Sequence, residues 1–152
     1  MTDNTEHALA LLRDNRYVVL ATADAEGNPW ATPVWFAPDG LDRLYWVSWP
    51  GSRHSMLIEQ RPEVALTVFD STVASNEAAA FYATGEAALV PDADLDDALR
   101  ILNQRSLAQG LGEFTREHVT GAARLRLYAA GLTATWVLDQ DADVDQRAVV
   151  PR

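Results

Sequence analysis

The chain has 152 residues, 48% of them apolar and 22% charged, a balance that lets it bury a hydrophobic core without cross-links. Its formal charge of −10, with a pI near 4.5, repels phosphate backbones and anionic lipid surfaces, which argues against nucleic-acid and membrane partners. Cysteine and lysine are both absent, which excludes disulfides, thiolate metal sites, cysteine nucleophiles, Schiff-base chemistry and a phosphate-binding lysine; every basic residue is an arginine.

The stretch Met1-Thr2-Asp3-Asn4-Thr5-Glu6-His7 is polar and acidic, unlike an export or mitochondrial signal. No apolar run approaches the ~20 residues of a membrane span, so a cytoplasmic protein is expected. Residues 5–15 are predicted to form a helix with Leu11 and Leu12 on its apolar side. Residues 17–22 are β-rich and nearly all apolar, a buried strand, and residues 30–36 form a second. The turn chemistry of Asp24-Ala25-Glu26-Gly27-Asn28 joins them into a hairpin, with Gly27 or Asn28 at positive φ. Pro29 and Pro33 lack a ladder donor and push the second strand toward an edge.

Pro38-Asp39-Gly40 reads as a turn, and residues 44–48 as the third strand. Trp49-Pro50-Gly51 breaks it, Ser52 caps a helix running to about Gln60, and Pro62 stops that helix. Residues 64–69 and 80–90 supply two more strands, the longer with Gly85 as a bulge or a point of close approach. Leu95, Leu99 and Leu102 recur at helical spacing behind an acidic first turn, and Gly110 or Gly112 ends that helix. Residues 122–130 alternate, with Arg124 and Arg126 on one face, and residues 132–138 form a last strand joined through Gly131. Beyond Asp139 the chain reads as a loose polar tail. This order, without βαβ units, gives an α+β, mainly antiparallel barrel in one domain over residues 1–152, with its core at about 10–138.

The segment Ser48-Trp49-Pro50-Gly51-Ser52-Arg53-His54-Ser55 combines a strand end, a Pro-Gly turn and a helix start. Helix N-termini present unpaired N–H groups and partial positive charge, Arg53 adds a bidentate donor, and Ser48, Ser52 and Ser55 add hydroxyls, so the segment suits a phosphate. An ordinary serine cap followed by solvated polar residues accounts for the same spacing. His7, His54 and His118 are too scattered to indicate a metal site, and Asp92, Asp94, Asp96 and Asp97 lack the glycine and glutamate of a calcium loop.

The strand Asn28-Pro29-Trp30-Ala31-Thr32-Pro33-Val34-Trp35-Phe36, then Leu44-Tyr45-Trp46-Val47-Ser48, then Ser52-Arg53-His54 stand in the order found in one family. Gln60-Arg61-Pro62 before a Val-rich strand, and Gly85-Glu86-Ala87, complete the pattern. The chain thus resembles the FMN-binding split-barrel proteins related to pyridoxamine 5'-phosphate oxidase, over roughly residues 10–138. The resemblance implies a split β-barrel, a homodimer with cofactors at the subunit interface, and flavin phosphate held by Ser52, Arg53 and His54. It places the ring edge against Thr32, Pro33, Val34 and Trp35 and against Val47, Ser48 and Trp49, with Trp136 near the neighbouring subunit's cofactor. No catalytic side chain is implied, because the cofactor carries the redox chemistry toward a small organic substrate. The chain lacks the family's phosphate-binding lysines and the C-terminal arginine–histidine pair, so pyridoxamine phosphate is not implied as that substrate. FMN is the expected cofactor, with the deazaflavin F420 as its rival; a non-catalytic cofactor- or haem-binding barrel is the alternative outside enzymology.

Overall fold

The computed structural model describes residues 3–152; Met1 and Thr2, the start of the polar stretch discussed above, lie outside the described residues. Helix α1 (Asn4–Asp14) opens the chain, its N-cap Asp3 accepting from the Glu6 N–H at 2.8 Å. Strands β1 (Tyr17–Ala23) and β2 (Pro29–Trp35) pair antiparallel around a turn in which Gly27 has φ of 87°. The two prolines leave β2 at one end of the strand order, as expected.

The chain then continues through Phe36 into β3 (Ala37–Asp39), a short strand where a turn was expected, and pairs it with β4 (Arg43–Ser48). Helix α2 (Arg53–Gln60), β5 (Glu63–Phe69) and β6 (Ala80–Leu89) follow. A short 3-10 turn at Asp92–Asp94 leads into α3 (Leu95–Ala108), and Gly110 takes positive φ just past its end. Helix α4 (Arg116–Val119), one turn long, was not expected.

The strand order is β2-β1-β5-β6-β7-β4-β3, all antiparallel, where β7 is Arg126–Leu138. The last two strands expected from sequence are this single strand, because Gly131 is held by pairing to Arg43 on one side and to Glu86 on the other. Arg124 precedes it and does not share a strand face with Arg126. The polar tail is not loose: β8 (Arg147–Val149) pairs with β7, Val150 is buried in the core, and Arg152 donates to the Leu132 carbonyl. β2 and β4 meet across the gap at the ends of the order, and the run through Phe36 links the two edges, so the sheet curls into a split barrel of the α+β kind.

Alternation along the strands sends residues to two cores. Val18, Leu20, Leu44, Trp46, Val68, Phe81, Tyr128 and Ala130 fill the barrel, with Leu11 and Leu12 of α1 and Ile58 of α2 packed against them. Tyr45 and Leu127, on the opposite face, bury the apolar side of α3 through Leu95, Leu99 and Leu102. β7 is therefore covered on both faces, which is why its sequence does not alternate cleanly with solvent. A Cβ on Gly85 would lie 2.6 Å from the Gly131 carbonyl oxygen, at a shift in the β6–β7 register; close backbone approach requires glycine there. Among the described residues no helix is long and apolar enough to cross a membrane.

Candidate functional site

β4 delivers Ser48 to the inner face of the barrel, and Trp49-Pro50-Gly51 turns the chain into α2. The indole of Trp49 folds back on Gly51, where a Cβ would meet its ring at 2.4 Å, so the missing side chain makes the turn compact. Ser52 is the N-cap: its N–H donates to the Trp49 carbonyl at 2.9 Å, and its Oγ accepts from the Ser55 N–H at 3.4 Å. Its hydroxyl also donates to Ser55 Oγ at 2.7 Å. His54 Nε2 lies 2.8 Å from Ser48 Oγ and 3.3 Å from Ser52 Oγ. Ser48 and Ser55 are buried and His54 is half-buried, and that burial holds the imidazole below its ordinary range, favouring the neutral ring.

Arg53 points the other way. Its guanidinium lies over the Trp30 ring, 4.1 Å from the centroid, and it has no ion-pair partner among the described residues. Trp30, on β2, was not anticipated as its support. The first turn of α2 thus gathers three hydroxyls, an imidazole, backbone N–H groups at the helix start and one available guanidinium. This donor set is chemically suited to a phosphate-sized anion.

The residues expected to meet a ring edge divide. Val34, Trp35 and Val47 line one cleft of about 550 Å³, together with Leu111, Phe114, Leu125 and Glu113. Trp35 Nε1 donates to Gln109 Oε1 at 2.8 Å, tying this wall to the end of α3. Thr32 is half-buried opposite Leu20, while Pro33 is exposed and lines a different depression with Tyr17 and Phe69. Trp49 is half exposed, and Arg124 lies 5.8 Å from its ring centroid. Of the tryptophans only Trp46 is fully buried, stacked on Tyr128 at 6.1 Å; Trp136 is half-buried on the outer face of β7. The segment 111–114 and Leu125 had no sequence signal, since their role depends on where α3 and β7 carry them.

The acidic cluster before α3 is held by Arg116, which pairs with Asp92 and, at 2.8 Å, with Asp96; Arg100 pairs with Asp97 at 2.7 Å. Arg126 donates to the carbonyls of Gly121, Ala123 and Leu125, so its charge serves the loop before β7.

A family model described as pyridoxamine 5'-phosphate oxidase matches residues 4–134. No curated protein sequence matches the chain. Among solved structures it is similar to a heme binding protein from Mycobacterium smegmatis, with a TM-score of 0.73 at 14% identity. That alignment covers 95% of this chain but only 57% of the Mycobacterium protein. The heme storage protein HutZ from Vibrio cholerae aligns with a TM-score of 0.64 at 18% identity, covering 85% of this chain and 90% of that one. An F420 reductase aligns at 26% identity with a TM-score of 0.58, covering 83% of this chain and 93% of that one.

Proposed function

The chain belongs to the pyridoxamine 5'-phosphate oxidase family, and from that premise we propose that it is an FMN-dependent oxidoreductase acting on a small organic substrate as a homodimer. The observation that carries this reading is the cluster at the start of α2: His54 is within hydrogen-bond distance of both Ser48 and Ser52, and Arg53 beside it in the chain has no ion pair among the described residues. Val47, next to Ser48 on β4, lines the cleft with Trp35. The donor set fits a flavin phosphate, with Arg53 as its one uncompensated charge, because no lysine exists to share that task. Ser52 and His54 would hold and orient the phosphate, while Trp35 and Val47 would keep water from one side of the ring. When bound, the flavin supplies hydride or electron transfer from its ring.

The homodimer is supported by a row of paired residues on the outer face of the sheet. Pro33, Val19, Thr67, Tyr82, Trp136 and Val149 are successive cross-strand partners over six strands, and none is charged. Arg147 covers Tyr82 at 4.2 Å, but Val149, Tyr17 and Phe69 remain exposed. Such a face is the surface a second copy would bury.

F420 is the second reading, favoured by the 26% identity to an F420 reductase. Its acidic oligoglutamate tail prefers a basic groove, which a chain of charge −10 supplies poorly. The deciding experiment is separate titration of purified protein with FMN, F420 and haem, followed by absorbance and fluorescence. Saturable quenching of FMN supports the proposal. Uptake of F420 alone moves the function to deazaflavin chemistry, a Soret band alone moves it to haem binding, and uptake of none removes the cofactor reading.

A further inference from the structure

The cleft between β2, β4 and the segment 111–114 has a charge preference written into its walls. Val34, Trp35, Val47, Leu111, Phe114 and Leu125 make it apolar, and its volume of about 550 Å³ lies in the range of small-molecule sites. Its polar side-chain donors are already used. Ser106 Oγ donates to the Gly112 carbonyl at 2.6 Å, and Trp35 Nε1 to Gln109 Oε1 at 2.8 Å. Asn103 fixes the Phe114 wall, donating from Nδ2 to its carbonyl and accepting its N–H, each at 2.8 Å. Glu113 alone is unspent: it is exposed, and it has no hydrogen bond or ion pair among the described residues.

No arginine balances it within the lining. Arg126 is committed to three carbonyls, and the Arg124 guanidinium lies toward the Trp49 ring. The cleft therefore offers a guest aromatic and aliphatic walls and a carboxylate acceptor, but no free side-chain donor. An anion would meet the Glu113 carboxylate with no side-chain cation in the lining to offset it; a flat cation would gain both that carboxylate and an aromatic wall at Phe114.

We propose that this cleft binds a planar, apolar organic cation, and that Glu113 sets the preference for its charge. The inference deepens the function proposed above by naming the substrate class: a flavin ring would take the Trp35 and Val47 side of the cleft and the guest the Phe114 and Glu113 side, and only the word substrate rests on that reading. The charge preference itself is measurable without any flavin.

The probes are proflavine, a planar cation, and anthracene-2-sulfonate, a planar anion, titrated by fluorescence at about 0.15 M salt so that distant charges are screened. Wild type is compared with Glu113→Gln and with Glu26→Gln, which removes one exposed charge at the β1–β2 turn, far along the sequence from the cleft. Proflavine should bind more tightly than the sulfonate. Glu113→Gln should weaken proflavine about two- to five-fold, the scale of a solvent-exposed ion pair, and narrow the gap between the probes. Glu26→Gln should change neither. Equal affinity for the two probes overturns the proposal, as does an equal effect of the two substitutions, which would trace the preference to net charge. FMN is titrated in parallel. A protein that refuses FMN yet keeps the Glu113 effect removes the flavin reading and leaves this one, and the converse result does the reverse.

Discussion

Arg53→Ala removes a single guanidinium from the start of α2, and the fold uses little of it. The side chain is exposed and makes no ion pair among the described residues; its one close contact is the Trp30 ring at 4.1 Å. An exposed cation–π contact contributes about 0.5–1 kcal/mol. In a chain of this size that lowers Tm by no more than about 2–4 °C. A charge-assisted hydrogen bond to phosphate is worth about 1.5–3 kcal/mol, which corresponds to roughly 10- to 150-fold in affinity. The assay is flavin fluorescence quenching with FMN and with riboflavin, which lacks the phosphate. Arg53→Ala should weaken FMN by that factor and leave riboflavin nearly unchanged. Arg53→Lys should fall between, keeping the charge but losing the planar fork. Equal losses for both flavins would mean that Arg53 acts on the ring or the fold, and an unchanged FMN affinity would place the phosphate elsewhere.

Two further outcomes follow from the same structure. Gly85→Ala forces a Cβ to within 2.6 Å of the Gly131 carbonyl oxygen, and overpacking of this kind costs about 1–3 kcal/mol. Thermal unfolding should show a Tm lowered by several degrees, and an unchanged Tm would show that β6 and β7 separate there without strain. Burial holds His54 below its ordinary value of 6.5, so as pH falls the unfolded chain takes up this proton before the folded one does. The associated stability is complete above about 6.5 and is lost as pH falls through the lower folded value. Urea unfolding between neutral and mildly acidic pH should therefore show a shallower acid loss in His54→Gln than in wild type, and parallel profiles would contradict the assignment.

Much of this fold was legible because short stretches decide it. Gly27 at positive φ makes the first turn, Ser52 caps α2 through its own hydroxyl, and Pro29 and Pro33 confine β2 to the end of the strand order. The misreadings have a common cause, which is that pairing overrides local appearance. Gly131 looks like a joint in sequence, yet partners on both sides carry β7 straight through it. Arg147 to Val149 are too few, and follow too polar a stretch, to announce a strand, and only the edge of β7 makes them one. The site divides in the same way. Ser48, Ser52 and His54 are near neighbours in sequence, and a strand end followed by a capped helix brings them together. The cleft joins Trp35, Val47, Phe114 and Leu125 from four separate elements and loops, a juxtaposition that no local pattern encodes.

Net charge was a poor guide to where an anion could be held, and the pairing of the arginines is a better one. Arg13, Arg100, Arg116 and Arg147 are matched to aspartates, while Arg105, Arg126 and Arg152 are directed at backbone carbonyls. Arg105 alone reaches the carbonyls of Leu12, Arg13, Asn15 and Phe36, tying the end of α1 to the link between β2 and β3. Arg53, like Arg16 and Arg124, has neither kind of partner among the described residues, and of these it is the one that sits where α2 begins. The polarity then reverses along one strand. Ser48, on the inner face of β4, leads to the donors of α2, whereas Val47, on the opposite face, lines the cleft whose only unspent polar side chain is Glu113. A molecule with a phosphate at one end and a flat ring at the other matches that sequence of environments, with its anionic end directed away from Glu113.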